Sequence, residues 1–258
     1  MSPADRPGRY AVILPACDEA PCLAQVLAEL RAGLPAERFE IAVGVNGSSD
    51  RTAEIARECG ALVAEITARG YGYGCRAAVD ELESERPLFD AYIFFAADGA
   101  NDPRDIPALV REYERGAAMV LGTRTRTPAN FTVMNARYVL ANRVFGALCG
   151  LLTGRAFSDL GPLRLIDREL FHAMHLSEWT YGWTIEAQIR AVQLGAKIVE
   201  IPVAERGRVA GKQKVSHVSW RRTLSVGMKI LAAGFRTRFA GITAQAPRPL
   251  RGSARAVS

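Results

Sequence analysis

Ala91-Tyr-Ile-Phe-Phe-Ala-Ala-Asp-Gly-Ala-Asn-Asp-Pro-Arg-Asp105 decides how the rest of the chain is read. Tyr92 to Phe95 is an unbroken aromatic and β-branched run, the pattern of a strand buried on both faces. It stops at Ala96-Ala97-Asp98-Gly99, which puts a carboxylate at the carboxyl end of the strand. In open α/β sheets that edge is where ligands bind. A helix is then expected from Pro103, with Asp102 as its cap and the proline at its first position.

Working outward, the same alternation recurs. Strands are expected at Arg9–Pro15, Phe39–Val45, Ala61–Ile66, Ala117–Gly122 and Lys197–Val203, with a short one opened by Ser158–Arg164. Helical patterns separate them: to about Gly33, Arg51–Cys59, through Glu83 after the glycine-rich loop Arg69-Gly-Tyr-Gly-Tyr-Gly74, about 104–115, 134–152, Asp167–Met174 and from Tyr181 to Gly195. Residues 124–135 read as a mobile loop. The alternation specifies an α/β fold with a mostly parallel, Rossmann-type sheet and helices on both faces. One domain is expected over 9–240, with disordered ends at 1–8 and 241–258.

The 258 residues are 49% hydrophobic and 23% charged, as in a globular protein. No signal-peptide core opens the chain, and no run of about 18 uncharged apolar residues occurs, so no membrane-spanning helix is expected. Five cysteines without a Cys-x-x-Cys pair read as reduced thiols of a cytoplasmic protein. Charge is uneven. From Glu205 onward there are 12 Lys/Arg and 1 acid, against a net charge of +6 for the whole chain. Such a basic end suits phosphate groups: a diphosphate, a lipid headgroup or nucleic acid. Nucleic acid is the weakest of these, because the aromatics Trp220, Phe235 and Phe239 fall on one helix face and do not interleave with the bases.

Several strand-end motifs resemble those of the family 2 glycosyltransferases, whose members include the polyprenyl- and dolichyl-phosphate sugar synthases. Asp98-Gly99 is similar to the end of that family's Asp-x-Asp-Gly signature. Leu14-Pro-Ala-Cys-Asp-Glu19 resembles its Pro-Ala-x-Asn-Glu element. Asn46-Gly-Ser-Ser-Asp-Arg-Thr52, the Arg69–Gly74 loop, Ser158-Asp-Leu-Gly-Pro-Leu-Arg164 with Tyr181-Gly-Trp-Thr-Ile-Glu186, and Gly211-Lys-Gln-Lys-Val-Ser216 follow in the family's order. The resemblance spans about residues 10–232. The chain departs from it at Ala96, where the family has the first acid, at Ala100 for its Gln, and at Val45, where a uracil-binding Asp is common.

The resemblance implies a GT-A-like fold and inverting transfer of a hexose from a nucleotide sugar, UDP-glucose or similar, to a phosphorylated acceptor, with polyprenyl phosphate the first candidate and a soluble one the second. It implies nucleotide contacts from Pro15, Ala16, Asp18, Glu19, Asn46, Gly47, Ser48, Gly72 and Ala97. Asp98 would be catalytic and hold Mg²⁺ or Mn²⁺ at the diphosphate, since hard cations take oxygen ligands. Asp159 and Glu186 are the other candidate catalytic acids, as base or as orienting groups. Arg164, Arg206, Arg208, Lys212 and Lys214 are expected at the diphosphate or the acceptor phosphate, the last four on a basic loop over 205–216 that suits a lid. Arg164 is alternatively a partner for Asp159. A helix over 218–238 repeats Trp220, Leu224, Met228, Phe235 and Phe239 at helical spacing between basic residues. That pattern fits a peripheral contact with the inner membrane face through 218–239, or packing on the protein's own domain. With acids absent at Val45 and Ala96, a binding protein that recognises nucleotide sugars without turnover is the alternative.

Overall fold

The computed structural model describes residues 8–86, 89–134, 136–210 and 220–240. Among these residues seven strands appear in chain order as β1 (Tyr10–Ala16), β2 (Phe39–Asn46), β3 (Leu62–Ile66), β4 (Ala91–Phe94), β5 (Met119–Thr123), β6 (Arg164–Asp167) and β7 (Ile198–Pro202). The helices are α1 (Ala20–Gly33), α2 (Thr52–Glu58), α3 (Tyr71–Glu85), α4 (Ile106–Glu114), α5 (Ala136–Thr153), α6 (Arg168–Ala173), α7 (Trp183–Gln193) and α8 (Trp220–Phe239). The proposed start after the central strand holds: Asp102 accepts the Arg104 N–H at 3.0 Å and caps a 3-10 turn, Pro103–Asp105, that leads into α4.

The strands form one sheet in the order β3-β2-β1-β4-β6-β5-β7. All neighbours are parallel except β6, which runs antiparallel to both β4 and β5. Alternation along β1 divides the core. Tyr10, Val12 and Leu14 pack toward α1 and α4, while Ala11 and Ile13 pack toward α3 and α7. The inner strands are therefore buried on both faces, which is why they read as continuous apolar runs, while the edge strands β3 and β7 are only partly covered.

Two expectations change. The glycine-rich segment at 69–74 is not a loop throughout, because α3 begins at Tyr71 and takes in Gly72 and Gly74. The glycines are there for packing. A Cβ on Gly44 of β2 would stand 1.9 Å from the Gly74 carbonyl oxygen, and one on Gly72 would stand 2.7 Å from Trp183 Cδ1. The backbones of β2 and α3 touch, which only glycine permits. The loop expected over 124–135 is tied down at Asn130 within its described part, 124–134. Asn130 is buried in a 3-10 turn, Pro128–Thr132, and its amide donates to the carbonyls of Arg124 and Val203 at 2.9 Å each. The terminal segments 1–7 and 241–258 lie outside the described residues.

Candidate active site

The carboxyl ends of β1, β2, β4, β5 and β7 all reach one edge of the sheet. β6 contributes its beginning to the same edge because it runs the other way: Arg164 pairs with Phe94 at the end of β4 and with Leu121 near the end of β5. Residues far apart in sequence thus meet at the ligand-binding edge of an α/β sheet.

Side chains lace the first three strand ends together. Asp18 holds its backbone at φ 52°, and its Oδ1 accepts the Ser49 N–H at 2.7 Å. Its Oδ2 lies 3.2 Å from Arg69 Nη2, and the Ser48 hydroxyl accepts the Asp18 N–H at 2.9 Å. Asn46 is buried and donates to the Gly70 carbonyl at 3.0 Å, setting where α3 begins. Beside this lacing lies an open groove of about 810 Å³, lined by Val45, Gly47, Ser48, Ala53, Glu65 and Thr67 among others. Its floor at Val45 and Ala53 is apolar, suited to the face of a base, and polar groups stand at its rim.

On the same edge of the sheet, beyond β1, Asp98 follows the central strand β4. Its Oδ1 accepts the Ala100 N–H at 3.1 Å, and its Oδ2 lies 3.2 Å from Arg208 Nη1. The same guanidinium is paired through Nη2 with Glu19 Oε2. The segment carrying Arg208 lies along the loop after β4: Arg206 N donates to Ala100 O at 2.7 Å, and Val209 N to Asp98 O at 3.3 Å. Arg206 turns outward, with its Nη2 2.7 Å from Glu29 Oε2 on α1. Lys212 and Lys214 lie outside the described residues.

A second cluster sits at the ends of β5 and β6. Asp159 is buried and takes the Arg124 N–H at 2.9 Å, with Arg124 Nε at 2.8 Å and Nη2 at 2.9 Å. Such a doubly bonded Arg–carboxylate pair is the form in which buried charge is tolerated. Glu205 completes the cluster, with Oε1 3.5 Å from Arg124 Nη1 and Oε2 buried without a hydrogen-bond partner. Burial pushes the Glu205 carboxyl up to about 7; Arg124 opposes this, and the charges of Asp159 and Asp98 add to it. The folded state therefore holds this proton more tightly than the unfolded chain. The stabilising contribution is whole below about pH 4.5 and is lost as pH rises through about 7. Glu205→Gln mimics the protonated form. It is expected to raise Tm at pH 8 by roughly 2–8 °C, on the order of 1–2 kcal/mol, with a clearly smaller rise at pH 5. Thermal melts at the two pH values check it, and equal shifts at both would contradict it.

Other expected site residues stand elsewhere. Arg164 is neither a partner of Asp159 nor open to a ligand in this structure. It is fully buried, donates to the Gly161 and Thr184 carbonyls, and lies 5.6 Å from the centre of the Trp183 ring. Its Nε is unpartnered, and burial depresses its pKa. Glu186 is buried and turned to the loop before its own helix, accepting the N–H groups of Ser177 and Glu178 at 2.9 and 2.8 Å. Its pKa is raised by burial against those bonds, so it fixes a loop and does not face the cleft. The side chains of Ala16 and Ala97 point into the core on the α1 side, which leaves only their backbone at the edge. Pro15 lies over Gly74, and Gly72 is covered by Trp179 and Trp183.

Sequence reasoning missed Arg124, Asn130 and Glu205. Arg124 and Asn130 fall in the segment taken for a mobile loop, and Glu205 was only a lone acid in a basic stretch. The available signal was position: Gly122-Thr-Arg-Thr-Arg126 follows directly on a buried strand whose end must lie at the site edge.

Among the described residues no group of three or more His, Cys, Asp or Glu is arranged to hold a metal. Asp98 nevertheless fits a divalent ion that takes most of its ligands from a diphosphate and water, since Mg²⁺ is commonly held by one or two carboxylates. The guanidinium against Asp98 Oδ2 is a stand-in cation at that position.

The profile of Glycosyl transferase family 2 matches residues 11–174. A dolichyl-phosphate hexose transferase of Haloferax volcanii is 32% identical over 80% of this chain and 86% of its own length. A glycosyltransferase of Mycobacterium tuberculosis is 30% identical over 80% of this chain and 88% of its own. Among solved structures, glucosyl-3-phosphoglycerate synthase of M. tuberculosis in complex with Mn²⁺, uridine diphosphate and phosphoglyceric acid superposes with a TM-score of 0.69 at 19% identity, over 92% of this chain and 80% of that one.

Proposed function

We propose that the chain, which belongs to glycosyl transferase family 2, transfers a hexose from a nucleoside-diphosphate sugar of the UDP-glucose type to a phosphorylated acceptor, polyprenyl phosphate first, with inversion at the anomeric carbon. The observation that carries this reading is the meeting of Asp98, Glu19 and Arg208 on the same carboxyl edge of the sheet that holds the open groove. A nucleoside would lie in the groove over Val45, between the ends of β2 and β3. Its diphosphate would then reach Asp98 and the basic segment. Mg²⁺ or Mn²⁺ on Asp98 would neutralise charge on the leaving diphosphate. Arg208, freed from its carboxylates, would bring a second positive charge to the same oxygens. Asp159 holds Arg124 in place, and this pair with Glu205 would orient the acceptor. A phosphate acceptor is already anionic near neutral pH, so the reaction needs position more than a strong base.

A lipid phosphate accords with the outer face of the last helix. No helix among the described residues is long and apolar enough to cross a membrane. On α8, however, Met228, Phe235 and Phe239 are exposed in one stripe, flanked by the basic residues Lys229, Arg236 and Arg238. Ala233 and Thr237 face the protein body. An apolar stripe edged with cations is the pattern of a helix lying in a membrane interface. Trp220 and Leu224 belong to the same expected stripe, but their side chains lie outside the described residues.

The test is transfer from radiolabelled UDP-glucose, with GDP-mannose and other nucleotide sugars in parallel. Acceptors are polyprenyl phosphate in phosphatidylglycerol vesicles and soluble 3-phosphoglycerate, each with and without Mn²⁺. Product on the lipid, dependent on Mn²⁺, is expected. Product only on the soluble acid would move the acceptor to that class. Failure of every donor to transfer or to raise Tm would overturn the reading, since a ligand at a hundred times its Kd stabilises by about 2.7 kcal/mol.

A further inference from the structure

We propose that Arg208 is an internal cation that latches the 205–210 segment over Asp98 and that a divalent ion must displace it. The inference rests on the reading of Asp98 as the donor-site carboxylate, and it adds a closed, self-occupied state of that site.

The geometry is that of a filled cation site. The Arg208 side chain is only 9% exposed, buried between the two carboxylates that it pairs with. Its guanidinium spans two carboxylates on separate strand ends, Glu19 after β1 and Asp98 after β4, and its Nε donates to the Ala210 carbonyl at 3.3 Å. A guanidinium is a permanent charge in a fixed fork, so it can neutralise two acids where a divalent ion would otherwise do so. The backbone follows the side chain: Asn101 and Glu205 form an antiparallel bridge, and Val209 sits on Gly99. Gly99 is at φ 79°, and a Cβ there would lie 2.4 Å from Val209 Cγ2, so the residue after the carboxylate must be glycine for the segment to close. Asp98 Oδ2 is the oxygen that faces Arg208, its Oδ1 being held by Ala100 N. Metal and guanidinium therefore compete for one oxygen.

The latch has a built-in reporter. Cys22 on α1 is fully buried beneath the segment, with its Sγ 2.9 Å from the Ala210 carbonyl oxygen and 3.8 Å from Arg208 Nη2. Cys75 and Cys149 are also buried, in the core layer on the opposite side of the sheet. They open only when the fold opens.

The experiment labels the ligand-free full chain with N-ethylmaleimide and follows each cysteine by peptide mass spectrometry. In Arg208→Gln, Cys22 should react at least about tenfold faster than in the parent, with Cys75 and Cys149 unchanged. Glu19→Gln should act in the same direction. In parallel, free Mn²⁺ is measured by electron paramagnetic resonance without nucleotide. Arg208→Gln should bind Mn²⁺ at least about threefold more tightly. Cys22 labelling within twofold of the parent in both variants, acceleration of all three thiols together, or Mn²⁺ binding no stronger than in the parent would each overturn the proposal. Neither readout uses a sugar nucleotide or turnover. A chain that unlatches in this way yet transfers nothing would overturn the proposed activity and leave the latch standing.

Discussion

Asp98→Asn is expected to lower kcat for hexosyl transfer by about 10³, roughly 4 kcal/mol of transition-state stabilisation, while Tm stays within about 2 °C of the parent. The reason lies in what the amide keeps and what it loses. Its oxygen still accepts the Ala100 N–H, now 3.1 Å from Oδ1, and can still accept from Arg208. The strand-end turn therefore stays as it is. The negative charge that would hold a divalent ion at the diphosphate is gone. Ala96 and Ala100, two positions on either side, carry no side-chain carboxylate that could replace it. Steady-state rates across a Mn²⁺ titration, beside a thermal melt, check the prediction. Retention of more than about a tenth of the parent rate, with the same dependence on Mn²⁺, would remove Asp98 from the reaction. In a chain where the first acid of the pair is already alanine, the effect should be larger than where two carboxylates share the ion.

Gly44→Ala is expected to be the most damaging single substitution outside the site, costing more than about 4 kcal/mol. The added methyl would stand 1.9 Å from the Gly74 carbonyl oxygen and 2.6 Å from its carbonyl carbon. Both atoms are backbone, so no side chain can swing aside. Either β2 or the first turn of α3 must move, and with it Asn46, whose amide sets the beginning of that helix. The variant should express poorly or melt more than about 10 °C below the parent. Gly33→Ala is the control. Gly33 ends α1 with nothing within 4 Å of the added atom, and the change should be neutral or stabilising by up to about 1 kcal/mol. A Gly44→Ala protein as stable as the parent would show that β2 and α3 are less closely packed than described.

Those two residues mark what could be read before the structure and what could not. Asp98 was legible because a buried strand announces itself by a run of apolar residues, and an acid directly after it must emerge at the strand's end. Gly72 and Gly74 were legible as a glycine-rich loop, and the resemblance put Gly72 at the nucleotide. Whether a glycine serves a ligand or a neighbouring backbone depends on what lies above it, and Gly44 is 30 residues away in sequence from Gly74.

Local sequence pattern was enough for the α/β class, the mostly parallel alternation and the set of strand ends from which a site had to be built. Hydrophobic periodicity and turn chemistry are local, and they act within a few residues of where they are written. Which charged groups pair depends on how the elements pack. The packing reversed β6 against β4 and β5, which brings Asp159 to Arg124 at the end of β5 while Arg164 is buried over Trp183. It turned Glu186 away to hold the Ser177 loop, and it set Arg208 on Glu19 and Asp98 across separations of 189 and 110 residues. An isolated charge carries no record of its partner. Coulomb attraction selects among every opposite charge the fold brings near, so that choice waits until the backbone has placed them.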